Sequence, residues 1–191
     1  MSEGEYGEPG DVLRQDGVGE PDELERLWTP YRMAYIRGQN KPSHTGPGEE
    51  CPFCRIPSLR DEEGLVVHRG EHAYAVLNLY PYSPGHVMAC PYRHVADYTE
   101  LTAEESDEIA EITKQAMRTV RRVSGAHGFN IGMNQGATAG AGIAAHLHQH
   151  VVPRWAGDQN FMPIIAKTRA LPEVLQRTRN LLSGAWDEPN D

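Results

Sequence analysis

The sequence predicts an α+β fold: an antiparallel five-stranded sheet with one long helix on one face and a second helix near the C-terminus. Two observations lead there. Short runs that favour extended backbone are joined by tight turns, and one long stretch carries an apolar stripe at helical spacing. No internal repeat is present.

Leu65-Val66-Val67-His68 and Ala73-Tyr74-Ala75-Val76-Leu77-Asn78 read as the first two strands, separated by Arg69-Gly70-Glu71. His86-Val87-Met88-Ala89-Cys90 is the third. The long helix runs from Ala103 to Ser124, with Ile109, Ile112, Ala116, Val120 and Val123 forming a stripe that reads as core. Thr102 with Glu105 predicts a capping box. Acids crowd the first turns, Arg118, Arg121 and Arg122 crowd the last, and Gly125 ends the helix, all in agreement with the helix dipole. Phe129 to Asn134 is the fourth strand and His146 to Val152 the fifth. A second helix is predicted over Pro172 to Leu182, its proline in the first turn.

A chain of 191 residues suits one domain with appendages. Four segments are expected: an acidic disordered tail at 1–25, an N-terminal arm at 26–50, the domain itself at 51–165, and a C-terminal extension at 166–191 with a helix and an acidic tail. Trp28, Pro30, Tyr31, Met33 and Tyr35 make the arm too aromatic for a linker, so it packs on the domain or on a partner subunit. The formal charge of −9 is unevenly spread, because residues 1–25 hold nine acids and one base, and 187–191 hold three acids. Residues 26–186 are left with 17 basic and 15 acidic side chains and show no basic stripe, which argues against a nucleic-acid partner. No apolar run approaches the roughly 18 residues of a membrane span, and Met1 to Glu20 is acidic rather than signal-like. Three cysteines do not make a secreted disulfide framework, so a cytoplasmic, reducing location is expected.

The functional signal lies in His146-Leu147-His148-Gln149-His150-Val151-Val152-Pro153-Arg154-Trp155. Histidines at i, i+2 and i+4 stand on one face of an extended strand, neighbouring rings about 6.6 Å apart. Three titratable rings in one row are costly to bury and poor as packing. Pro153 limits the ladder, placing the row near a strand end. The loop from Asn134 to Gly142, with Gly140, Ala141 and Gly142, has small residues that let backbone N–H groups approach phosphate, and Asn134 offers both donor and acceptor. Cys51-Pro52-Phe53-Cys54 supplies two thiolates from one turn, half of a tetrahedral zinc site. No second cysteine pair exists, so the other ligands must come from nine histidines, among which spacing does not choose. Cys90 lies in an apolar strand and reads as core. Arg154 suits a phosphate or carboxylate, or a structural ion pair. Trp155 would stack on a purine or pack against a partner subunit.

The triad, together with Gly157-Asp158-Gln159-Asn160-Phe161-Met162, Ser83-Pro84-Gly85-His86-Val87 and Pro91-Tyr92-Arg93-His94, resembles the histidine-triad (HIT) superfamily of nucleotide hydrolases and transferases. Within it, the match is to the bacterial diadenosine polyphosphate phosphorylase and hydrolase branch, over about Cys51 to Pro163. The resemblance implies a HIT-like fold paired at least as a homodimer. It also implies a structural zinc on Cys51, Cys54, His94 and His146. His148 becomes the nucleophile that forms a covalent nucleotidyl-histidine, with His150 and His86 bordering the same phosphate pocket and Asn78 at the ribose. The implied reaction is diadenosine tetraphosphate plus phosphate giving ATP and ADP, and water as acceptor would make a dinucleoside polyphosphate or nucleoside phosphoramidate hydrolase that releases AMP. Free magnesium would shield the substrate's charges without acting as a catalytic metal. One departure stands out: Ala141-Gly142-Ile143 occupies a place where many members carry Gln, Ser or Thr. Two rival readings are a hydrolase with catalytic zinc on His-x-His and a non-catalytic nucleotide-binding protein.

Overall fold

The computed structural model describes residues 46–48, 51–158 and 174–189. The acidic tail at 1–25, nearly all of the N-terminal arm and Pro172 lie outside them. Its elements are two single-turn helices, α1 (Pro52–Arg55) and α2 (Asp61–Gly64), then strands β1 (Val66–Arg69), β2 (Ala73–Leu77) and β3 (Val87–Pro91). The long helix α3 (Ala103–Ser124), strands β4 (Gly128–Met133) and β5 (Gln149–Arg154), and helix α4 (Leu175–Gly184) follow.

The sheet has the order β1-β2-β3-β5-β4, with every pair antiparallel. Strands β2 and β3 are buried along their whole length, as continuous apolar runs in the middle of a sheet require. Helix α3 packs across β2, β3 and β5, and α4 packs on β1 and α3. The main core gathers Ala75, Leu77, Val87, Ala89 and Val151 of the sheet against Ile109, Ile112, Ala116 and Val120 of α3. Leu182 and Trp186 close it from the C-terminal side. A second core lies on the opposite sheet face, where Tyr74, Val76, Met88 and Cys90 meet Cys51 and Phe53.

The long helix begins and ends where the sequence places it. Thr102 accepts from the Glu105 amide and the Glu105 side chain accepts from the Thr102 amide, so both halves of the capping box form. Gly125 ends the helix in the left-handed conformation, φ 63°, which glycine adopts without a Cβ penalty. Val123 is the exception to the stripe: it is 37% exposed. Glu105 also pairs with Arg93 at 2.7 Å and is itself buried, and Arg93 bonds the Glu100 carbonyl. The Arg93 hydrogen bond holds the Glu105 carboxyl below its usual range. A lowered folded pKa adds stability that is complete above about 4.5 and disappears as pH falls through the folded value. Glu105→Gln should therefore cost about 1–2 kcal/mol in urea unfolding at pH 7 and clearly less at a pH well below 4.5. An equal loss at both pH values would show that the charge is irrelevant.

Three boundaries differ from expectation. Strand β5 begins at Gln149, so His146, in a bend, and His148 lie on the segment that leads into it. Pairing with β3 stops at Ala89↔Gln149; beyond it, Pro91 has no N–H to give, and its carbonyl accepts from the His146 ring instead. Pro153 does not end the strand, which continues to Arg154 paired only with β4, where Phe129 faces Pro153. Helix α4 starts at Leu175 with Val174 as N-cap, and the predicted Pro172 lies outside the described residues. The expected acidic tail is partly ordered as well. Arg122 bonds the Ala185 carbonyl and pairs with Glu188 at 3.3 Å, anchoring Asp187 to Pro189 on the end of α3.

Candidate active site

Helix α1 is too short to hold itself and is defined by what its ends do. Cys51 is its N-cap and Cys54 its third residue, so one turn aims both thiols the same way. They meet His94, just past β3, and His146, just before β5; the four ligand atoms all lie within 4.8 Å of one another. Cys51 Sγ is 3.4 Å from His146 Nδ1, and Cys54 Sγ is 3.2 Å from His94 Nδ1 and 3.5 Å from His146 Nδ1. His146 Nε2 lies 2.9 Å from the Pro91 carbonyl; its N–H donates there, which leaves the Nδ1 lone pair turned to the thiols. That outer hydrogen bond is the usual partner of a metal-ligating imidazole. Burial pushes the Cys51 thiol up and the His146 imidazole down to about 4. Both shifts penalise charge, and a divalent ion would reverse the penalty by taking thiolates and neutral rings. Two thiols and two imidazoles form the donor set of a closed tetrahedral zinc site.

The other histidines form a chain of fixed tautomers. His148 is buried, and its Nδ1–H donates to the His146 carbonyl at 2.9 Å, leaving a lone pair on Nε2. Burial pushes its imidazole pKa down, so the neutral, nucleophilic form is favoured. The Tyr82 amide donates to His86 Nδ1 at 3.1 Å, so His86 carries its proton on Nε2. That N–H reaches His150 Nδ1 at 2.9 Å, which puts the His150 proton on Nε2. The His148 and His150 rings meet edge to face with centroids 4.9 Å apart, closer than the 6.6 Å of an ideal strand, because His148 precedes the ladder. One ring is thereby set as a lone-pair donor and its neighbour as a hydrogen donor.

His148 and His150 line a cavity of about 350 Å³. Asn78, Asn134, Gly140 and Gly142 line it too. His86 supports His150 from behind, with the Asn78 amide 3.4 Å from its Nδ1. Ala141 is buried within its turn rather than lining the cavity. Arg154 and Trp155 do not line it either. Arg154 is held by Asp158 at 2.6 Å and by Asn130, and the Trp155 indole donates to the Ser124 carbonyl and packs on the main core. None of the four metal-cluster residues lines the cavity.

Sequence reasoning missed the cavity's apolar wall. Phe53, Ile56, Leu59, Leu65, Leu77, Met88 and Ile143 supply it. They come from short helices, strand faces and loops scattered along the chain, with no shared periodicity to reveal them. Ile143 makes its part of the cavity wall apolar.

Similar proteins point the same way. The HIT domain profile matches residues 60–157. AP-4-A phosphorylase of Mycobacterium tuberculosis is 51% identical over 174 residues, covering 89% of this chain and 88% of the relative. A zinc-bound histidine triad family protein from Mycobacterium smegmatis superposes with a TM-score of 0.57 at 28% identity, covering 71% of this chain and 92% of that one. A hypothetical histidine triad nucleotide-binding protein from Sulfolobus tokodaii gives 0.59 at 27% identity, covering 72% and 92%. On the profile match over half its length and the relative half identical to it, the chain belongs to the HIT family.

Proposed function

We propose that the protein is a HIT-family nucleotidyltransferase that cleaves diadenosine tetraphosphate with phosphate, yielding ATP and ADP, through a covalent adenylyl-histidine on His148. The observation that carries this reading is the tautomer pair in the cavity: a buried His148 with its Nε2 lone pair available, beside His150 with a proton on Nε2. The relative named AP-4-A phosphorylase supplies the substrate class.

In the first step the His148 Nε2 lone pair attacks an α-phosphorus, forming a P–N bond as the P–O bond to the β-phosphate breaks. The His148 proton stays on Nδ1, where the His146 carbonyl stabilises the cationic ring. ATP leaves with the electron pair of the broken bond, and His150 Nε2–H donates to the departing oxygen. In the second step a phosphate oxygen attacks the same phosphorus, the P–N bond breaks, and the electron pair returns to His148. The anionic phosphate oxygen brings no proton, so His150 keeps its Nε2–H and donates a hydrogen bond in both steps. ADP is released.

Asn78 and Asn134 would bind ribose and phosphate, with Gly140 and Gly142 giving backbone access. Cys51, Cys54, His94 and His146 would hold a zinc ion, whose contribution is structural: it fixes the run entering β5. Their absence from the cavity wall favours this over a zinc-activated water. Magnesium would accompany the polyphosphate rather than the protein. The same reading takes the enzyme to be a cytoplasmic homodimer without nucleic-acid or membrane partners. In this reading the pairing face is the exposed edge strand β4, where Ile131 is 48% exposed.

Labelled orthophosphate tests the acceptor. Turnover of diadenosine tetraphosphate should place label in the β-phosphate of ADP and none in ATP. Unlabelled AMP with ATP would mean that water is the acceptor, and the phosphorylase assignment would fall.

A further inference from the structure

The metal cluster and the cavity are separate sites, yet Phe53 and His146 belong to both surroundings. Phe53 sits inside the Cys-x2-Cys turn. Its ring centroid is 5.4 Å from that of His146 and 4.7 Å from that of His148, and the same ring lines the cavity. His146 turns Nδ1 to the thiols while its backbone carbonyl accepts from His148 Nδ1–H at 2.9 Å. The conformation of the cysteine turn thus reaches the candidate nucleophile by a ring contact and by a hydrogen bond.

We propose that the metal cluster and the nucleotide cavity are thermodynamically coupled through Phe53 and His146. A divalent ion on the cluster then raises the cavity's affinity for nucleotide, and bound nucleotide raises the cluster's affinity for the ion by the same factor. The inference rests on the cavity being a nucleotide site.

The physical cause is shared ordering. Helix α1 has four residues and no side-chain N-cap bond, so it contributes little rigidity of its own. Tyr74 Oη–H donates to the Phe53 carbonyl at 2.7 Å, which keeps the backbone attached whether or not the thiols hold an ion. What an ion adds is the angle of the turn, and with it the placement of the Phe53 ring against His148. A nucleotide packed on the cavity wall orders the same ring. Whichever ligand binds first bears the entropy of that ordering, and the second binds without it.

The test uses the full chain in a chelator-buffered zinc series, which fixes free zinc whatever the nucleotide binds, with and without saturating AMP. Zinc per chain is counted by native mass spectrometry. AMP should shift the half-loading point to about tenfold lower free zinc, and AMP should bind the metal-free chain about tenfold more weakly in calorimetry. Phe53→Leu, which keeps most of the packed volume, should still load zinc but lose most of the shift. If the metal-free chain unfolds, zinc release to a chromogenic chelator replaces the titration: AMP should slow release from the parent chain and not from Phe53→Leu. AMP binding with an unmoved half-loading point and release rate overturns the coupling. A full shift in Phe53→Leu overturns the assigned route. AMP failing to bind the zinc-loaded chain removes the nucleotide reading of the cavity first, and the coupling with it.

Discussion

Replacing His148 with Ala should lower kcat for diadenosine tetraphosphate by about 10⁴-fold or more and leave nucleotide affinity within a few-fold. The split between kcat and binding follows from the geometry. His148 Nε2 is the lone pair facing the cavity, whereas Asn78, Asn134, the glycine turn and the apolar wall would still hold nucleotide. Loss of the ring leaves a small cavity beside Phe53 and an unmet His146 carbonyl, at a cost of about 1–3 kcal/mol that a thermal melt would register without loss of the fold. The parent enzyme quenched in alkali during turnover should carry one adenylyl group on the peptide containing His148, because a P–N bond is labile in acid. Parent-like turnover by His148→Ala, or an adduct on another residue, would reject the mechanism.

The prediction for His150 has a different form, since that ring donates a hydrogen rather than a bond. Its proton is set on Nε2 by His86, itself fixed by the Tyr82 amide. Removing either histidine leaves the nucleophile in place, so an adenylyl adduct should still form, more slowly. The smaller expected effect, about 10²–10³-fold, matches the loss of one hydrogen-bond donor to developing charge.

Much of this was legible in the sequence where one residue's chemistry decides its place. Thr102 and Glu105 formed a readable capping box because both partners lie three residues apart on one chain segment. The alternating histidines announced a site because no packing role suits them. The metal set was readable only in part: two cysteines fixed one half, and the choice of His94 and His146 came from family resemblance, not spacing. Phe53 was not legible as a cavity residue. Its place depends on α1, a four-residue helix too short to show periodicity, and on the second core beneath it. Arg154 illustrates the opposite failure. A cation beside a triad invites a phosphate, but Asp158 four residues on had already taken it. Pro153 was read as a strand end because a proline cannot serve two ladders. It serves one, which an edge-paired strand allows.

Removing the metal should lower the melting temperature by about 10 °C or more, a larger effect than the loss of any single contact on the sheet. The cluster joins three stretches far apart in sequence: the Cys51–Cys54 turn, the segment after β3 and the run into β5. Without an ion, that junction consists of two thiols and two imidazoles whose pairwise contacts of 3.2 to 3.5 Å are weak hydrogen bonds at best. Cys51 is fully buried and His146 nearly so, so neither regains solvent when the ion leaves. Calorimetry of the zinc-loaded chain before and after chelation gives the shift, and Cys54→Ala should reproduce it and lose the one zinc per chain. Cys90 serves as the control, since its thiol is buried near the end of β3 and is not part of the cluster. Cys90→Ala should melt lower through lost packing alone and keep its zinc. Equal melting temperatures with and without zinc would show that the four side chains make no structural metal site, and the register of the catalytic run would then need another source.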